Sequence, residues 1–180
     1  MPYRIRSADL LDSDAILSVV AEAFAHAEGR GSYEVDVVRR TWDLDLSDAL
    51  ELVAVDAAGD VVGHVLAAPG TIGDDTLHAV APLAVRPSHQ AQGVGTALMH
   101  ELIARADRRG WPVLLLLGDQ RYYSRFGFVA AAQLGLTYRP AGADSPYFQV
   151  LRLSAPWGGA GGEFRYAWED APESGVTSGL

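Results

Sequence analysis

Residues 76–117 impose a strand, helix, strand order on the middle of the chain. Thr76–Val85 reads as a strand interrupted by Pro82, Gly93–Arg109 as an amphipathic helix, and Pro112–Leu117 as a wholly apolar strand. On the helix, Val94, Leu98 and Leu102 share one face, and Ala97, Met99, Ile103 and Ala106 widen it. Arg105, Arg108 and Arg109 put cations at the negative end of the helix dipole, and Gly110 supplies the stop. A strand that is apolar at every position is buried on both faces, as in a parallel crossover unit. Pro82 lacks the N–H that a central ladder needs, so pairing is expected to bulge or stop there.

The rest of the chain arranges itself around this unit. Tyr3–Arg6 reads as a first strand. Asp9–Phe24 reads as a helix with an apolar stripe through Leu11, Ala15, Leu17, Val19, Val20 and Ala23. Tyr33–Leu44 is a second helix with Val37, Val38 and Trp42 facing inward. Glu51–Asp56 and Val61–Ala68 form a hairpin across Ala57-Ala58-Gly59-Asp60. A short helix over Gln120–Arg125 precedes strands at Phe128–Tyr138 and Pro146–Ser154, with an edge strand at Glu163–Trp168. The expectation is an α/β (α+β, mixed-sheet) domain over residues 1–168, with about seven strands and about four helices. Residues 169–180 are expected to form a loose tail.

Composition removes several classes of chemistry. There is no cysteine, which excludes disulfides, thiolate metal sites and a cysteine nucleophile, and fits a reducing cytoplasmic setting. The N-terminus lacks the apolar core of a signal peptide, and the longest strongly apolar run, Val113–Leu117, is strand length, so no membrane association is expected. A net charge of −9 argues against a general nucleic-acid binder and fits a cationic partner, although acidic surfaces also serve solubility. The five histidines show no paired zinc-helix spacing, and Asp43-x-Asp45-x-Ser47 lacks the glycine and the glutamate of a calcium loop, so no metal is expected.

Gln90-Ala91-Gln92-Gly93-Val94-Gly95-Thr96 lies between the interrupted strand and the long helix. Glycines there let a ligand approach the backbone, and a helix start carries unpartnered N–H groups suited to an anion. The same glycines are equally compatible with a loop that only eases helix packing. A P-loop is excluded because the chain contains no lysine. A dinucleotide fingerprint would want glycine or alanine where Leu98 stands, and too little chain precedes residue 93 for a doubly wound sheet.

Taken together, Pro82-Leu83-Ala84-Val85-Arg86-Pro87, Gln90-x-x-Gly93-x-Gly95 and Tyr122-Tyr123-Ser124-Arg125-Phe126-Gly127-Phe128 resemble the GNAT superfamily of N-acetyltransferases. Gly118-Asp119 with the double tyrosine resembles a bacterial branch of that superfamily. The resemblance implies the GNAT acyl-CoA N-acyltransferase fold, acetyl-CoA as co-substrate and an amine acceptor, either a small molecule or a peptide. It further implies that the backbone of Leu83 and Val85 holds the pantetheine arm and the thioester carbonyl. Gln90, Ala91, Gln92, Gly93, Val94, Gly95 and Thr96 would hold the pyrophosphate. Ala91 departs from the glycine that many relatives carry. A non-catalytic CoA-binding module of the same fold is the alternative.

Acetyl transfer to an amine needs a neutral amine, a donor for the growing oxyanion and a proton for the departing thiolate. Without cysteine, and without a Gly-x-Ser-x-Gly elbow, direct attack by the amine is the economical route. By resemblance Tyr123, four residues before Gly127, is the general acid, since a phenol stays protonated at neutral pH. Tyr122 is expected to point elsewhere. His78 is a candidate base, with His26, Glu28 and Tyr33 behind it. Acceptor contacts are expected in His26–Ser32 and Pro140–Pro146, and a homodimer through the late strands and tail is a further expectation.

Overall fold

The computed structural model describes residues 3–25, 30–44, 46–142 and 145–169, with the side chains of 30–32 outside that description. The first part of the chain forms β1 (Arg4–Ser7), α1 (Ser13–Phe24), α2 (Arg30–Asp43), β2 (Leu50–Val55), β3 (Val61–Ile72) and β4 (Asp75–Val85). Next come α3 (Val94–Arg108), β5 (Val113–Leu117) and the one-turn α4 (Gln120–Tyr123). The remainder holds β6 (Val129–Ala130), β7 (Leu136–Thr137), β8 (Phe148–Arg152), β9 (Gly162–Glu163) and β10 (Arg165–Tyr166).

The main sheet has eight strands in the order β1-β2-β3-β4-β5-β8-β6, with β10 paired to the far end of β3. Among the described residues β4–β5 is its one parallel pair, and α3 makes the crossover between them. Alternation along β5 explains why it is apolar throughout. Val113 and Leu115 join Val19, Val20 and Val38 beneath α1 and α2. Leu114 and Leu116 join Leu98, Met99 and Leu102 of α3 on the other face. Both layers are closed by helices, so the sheet offers a ligand no face, only an interruption within itself.

Three local expectations are corrected. The first helix does not begin at Asp9: Asp9 caps a 3-10 turn at Leu10–Asp12, and α1 starts at Ser13. That turn is pinned by Arg6, whose guanidinium donates twice to the Asp12 carboxylate (2.5 and 2.8 Å), and it leaves Leu11 94% exposed instead of on the buried stripe. The expected strand over 128–138 is cut into β6 and β7 by a 3-10 turn at Ala131–Leu134, with Gly135 at φ 69° reversing the chain. The expected edge strand at 163–168 is two short pieces: β9 pairs with β7, and β10 pairs with β3 at Gly70 and Thr71. The expected tail at 169–180 lies outside the described residues except for Glu169. Its carboxylate accepts from the Tyr138 hydroxyl at 2.8 Å and from the Tyr166 N–H at 2.9 Å.

Candidate active site

The register of β4 shows where the sheet comes apart. On one side β4 runs antiparallel to β3, with Val65 opposite Leu83 and Ala67 opposite Val80. Ala81 and Pro82 together therefore face the single residue Leu66, which is a bulge. On the other side the parallel ladder to β5 covers His78–Val80 against Leu114–Leu116 and ends there. The interruption expected at Pro82 is thus present in both ladders.

Beyond the bulge the backbone faces the gap. The Arg86 N–H donates to the Val62 carbonyl at 2.9 Å, which makes Gly63–Val85 a pair that exchanges no hydrogen bonds with itself. By the antiparallel alternation, Val65–Leu83 is another such pair. The N–H and C=O groups of Leu83 and Val85 therefore point away from β3, toward the opening. The Val85 carbonyl receives the Gln90 side-chain amide at 3.0 Å, in keeping with that direction.

The gap leads to the start of α3. The Ala97 N–H bonds back to the Gly93 carbonyl at 2.9 Å, and the amides before it have no partner one turn back. Gly93 takes φ 87° at the N-cap, a left-handed conformation that suits glycine, and an added Cβ there would meet nothing within 4 Å. Gly95 serves close approach instead, because its Cβ would stand 2.8 Å from the Tyr122 hydroxyl. Ala91 also lies in the left-handed region, at φ 57°, which is the physical reason glycine suits that place.

A cavity of about 550 Å³ opens here. Leu83 and Val85 line it from the strand; Gln90, Ala91, Gly93, Val94, Gly95 and Thr96 line it from the loop and helix. Of the residues expected at this site, the Gln92 side chain alone turns away. It accepts from the Tyr3 hydroxyl at 2.9 Å and donates to the Ser88 carbonyl at 2.8 Å.

A second cavity of about 720 Å³ continues past Phe24 and Leu83, which belong to both walls. Tyr123 stands in it, placed by the single turn of α4. Asp119 caps that turn, accepting from the Arg121 N–H at 2.9 Å, and the Tyr123 N–H bonds the Asp119 carbonyl at 3.1 Å. The turn folds the Tyr123 ring back onto Gly118 so closely that a Cβ at 118 would collide with Tyr123 Cε2. Gly118 is held from both sides, its N–H by the Tyr147 carbonyl (2.8 Å) and its carbonyl by the Gln149 amide (2.7 Å). Burial, reinforced by Tyr122 and Glu34, pushes the Tyr123 phenol well above its ordinary pKa of 10.0.

The adjacent tyrosines diverge. Tyr122 and Tyr123 meet edge to face at 4.9 Å, with Tyr123 in the larger cavity and Tyr122 in the wall at the helix start. Arg125, whose guanidinium lies 4.6 Å from the Tyr122 ring centroid, lines the same wall and brings a cation to the amide cluster. Sequence reading did not single out Arg125, although it stands within the Tyr122–Phe128 segment.

The candidate base fails. His78 is buried, stacked on Trp111 at 3.5 Å, with Nε2 2.7 Å from Asp48 Oδ2, and it belongs to neither cavity wall. Burial pushes its pKa down, with Asp48 pulling partly back, so it is a packed strut of the sheet. Tyr33 does line the larger cavity, joined by Glu34. Sequence reading missed Glu34; its signal was its place three residues before the inward-facing Val37 on α2. His26 and Glu28 lie outside the described residues. Of the two loops expected to meet the acceptor, 26–29 and 143–144 lie outside them too, Arg30–Ser32 belong to α2, and Pro140, Ala141 and Ser145 line the cavity. Among the described residues no group of three or more histidines and carboxylates could hold a metal, and no helix is long and apolar enough to cross a membrane.

Comparison with known proteins agrees with this geometry. Residues 48–130 match the family described as an acetyltransferase (GNAT) domain. The chain is 39% identical over 107 residues to a protein named uncharacterized N-acetyltransferase YhbS of Escherichia coli, an alignment covering 58% of this chain and 64% of that one. The chain therefore spans just under two thirds of that curated relative. It is 33% identical over 129 residues to E. coli YjhQ, also named an uncharacterized N-acetyltransferase, covering 69% and 68%. A crystal structure of E. coli YhbS in complex with CoA superposes with a TM-score of 0.79 at 31% identity, over 92% of this chain and 90% of that one. A GNAT acetyltransferase from Brucella melitensis in complex with acetyl-CoA gives 0.76 at 29% identity, over 93% and 98%. With its sheet split at Pro82 and its glycine-opened helix start, this chain belongs to the GNAT superfamily of N-acetyltransferases.

Proposed function

We propose that the protein is an acetyl-CoA-dependent N-acetyltransferase that passes the acetyl group directly to an amine. The observation that carries this reading is the gap: outward-facing backbone of Leu83 and Val85 runs straight from the end of the β4–β5 ladder to the amides that open α3. An extended chain of amides fits the first part, as a missing strand would. A pyrophosphate fits the second, where helix-start N–H groups and Arg125 converge. That CoA and acetyl-CoA are bound in two structurally similar proteins supports the same assignment.

In the reaction a C–N bond forms at the acetyl carbon and its C–S bond breaks, giving an amide and the free thiol. The Leu83 N–H donates to the carbonyl oxygen as charge grows there, a contribution of about 3–4 kcal/mol for a well-aimed donor. Tyr123 gives its phenolic proton to the sulfur. The transfer accompanies C–S cleavage, and because a phenolate is more basic than a thiolate it is drawn forward by reprotonation of the phenolate from water. The attacking nitrogen loses one proton to water on the acceptor side, and a proton from water restores the Tyr123 phenol, so the protons balance.

Calorimetry with acetyl-CoA, paired with a thiol-release assay across an amine panel, tests the reading. One-to-one binding with amine-dependent thiol release is expected. Binding with no release from any amine would favour the non-catalytic module, against which the placement of Tyr123 in the gap argues.

A further inference from the structure

A single turn of helix has no stability of its own, so α4 must be aimed by whatever holds its ends. The chain enters it through Gly118, the first residue past β5. The Gly118 N–H reaches the Tyr147 carbonyl at 2.8 Å, and its carbonyl receives the Gln149 side-chain amide at 2.7 Å. Those two bonds orient the peptide joining Gly118 to Asp119, whose own carbonyl takes the Tyr122 and Tyr123 N–H groups at 2.9 and 3.1 Å. Gln149 is itself anchored. It lies on β8 between β5 and β6, opposite Leu116 on one side and Ala130 on the other. Its neighbours Phe148 and Val150 belong to the layer under α1 and α2, so by alternation its side chain enters the α3 layer with Leu116 and Phe128, and it is fully buried. A leucine would fill that place without the cost of burying a carboxamide.

We infer that Gln149 is a positioning residue for the general acid: by holding the Gly118 carbonyl it sets the direction in which α4 leaves the sheet, and so where the Tyr123 hydroxyl stands in the cleft. The inference rests on Tyr123 being that acid. Two features tie the amide to the ring and not only to the fold at large. The Tyr123 ring lies directly on Gly118, with no room for a Cβ between them, so a tilt of the Gly118 peptide passes to the ring without slack. The ring's other aromatic neighbours, Tyr122, Phe126 and Phe128, meet it edge-on or tilted, at centroid distances of 4.9, 6.4 and 6.0 Å. They enclose the ring without orienting the turn that carries it. Proton transfer to a departing sulfur is sensitive to displacements on the order of 1 Å, the scale on which a freed peptide plane can move.

Gln149→Met tests this, since it keeps the volume and removes the donated hydrogen bond; Gln149→Leu takes its place should that variant not fold. At saturating acetyl-CoA, thiol release with the fastest of butylamine, phenethylamine and spermidine is expected to fall on the order of tenfold in kcat, with the acetyl-CoA Kd from calorimetry unchanged. In a Tyr123→Phe background the same substitution should cost less than about twofold, because the hydroxyl it aims is gone. A proton–carbon NMR spectrum of the chain with isotope-labelled tyrosine needs no amine. There the Tyr123 ring resonance, identified by its loss in Tyr123→Phe, should be displaced by Gln149→Met while those of Tyr3 and Tyr166 hold. An unchanged kcat, a full loss retained in the Tyr123→Phe background, or an undisplaced Tyr123 resonance would overturn the inference; if none of the three amines turns over, the spectrum decides it alone. A kcat left unchanged by Tyr123→Phe itself would instead remove the acid assignment, and the inference with it. Failure to bind acetyl-CoA would overturn the function on which both rest.

Discussion

The half of the cleft at the start of α3 is made of backbone, and the half around Tyr123 is made of side chains. In the first, contiguous amides from Gly93 onward and the outward carbonyls and N–H groups of β4 face the opening, and the Gln92 side chain turns away. In the second, Phe24, Glu34, Tyr123, Tyr147 and Trp168 come from five separate segments. A backbone site tolerates changes of side chain so long as φ and ψ are kept. A side-chain site does not, but it can be retuned one residue at a time without disturbing the other half.

The sharpest way to break that contrast is Tyr123→Phe. It removes one hydroxyl from the side-chain half, and kcat is expected to fall about 100-fold while acetyl-CoA affinity holds. Equal loss of affinity would mean the two halves are not separable. Burial holds the phenol's pKa above 10.0, so the wild-type protein keeps this proton as pH rises, and its kcat should show no alkaline limb below about pH 10; a limb near pH 8 that vanishes in Tyr123→Phe would contradict the environment described.

Gly118→Ala comes next. The added methyl collides with the Tyr123 ring, and Gly118 is held by Tyr147 and Gln149, so the ring must move. A misplaced acid should cost on the order of tenfold in kcat, read again against unchanged acetyl-CoA binding. In the backbone half, Gly93→Ala meets no neighbouring atom but forces an L-residue into φ 87°. A loss of about 1–2 kcal/mol in stability is expected, seen as several degrees in Tm, with weaker acetyl-CoA binding. The smallest effect belongs to Ala91→Gly. It relieves a left-handed alanine at φ 57° and restores glycine's unfolded-state freedom, so the two terms nearly cancel. A net gain of at most about 1 kcal/mol is expected by chemical denaturation.

The same contrast explains what could be read from the sequence. The half at the start of α3 is local: seven consecutive residues, a proline and a strong amphipathic helix state its geometry in one stretch, and eight of the nine residues expected there line one cavity. The half around Tyr123 depends on chain segments brought together only by the sheet, so no spacing announces that Tyr33, Glu34, Tyr123 and Tyr147 share one wall. His78 misled for a related reason. Strand periodicity gives the face a residue occupies but not its partner, and its carboxylate, Asp48, is thirty residues away. The long strand expected at 128–138 was broken by Gly135, whose left-handed turn periodicity cannot report.

An amide-resolved NMR titration of this 19.2 kDa chain with acetyl-CoA tests the central claim most directly. Saturable shifts centred on the N–H groups of Leu83, Val85 and Gly93–Thr96 are predicted, with those of β1 and β2 little moved. If acetyl-CoA binds while these amides stay in place and the shifts gather elsewhere, for example around the cavity beside Trp42 and Glu51, the account is contradicted.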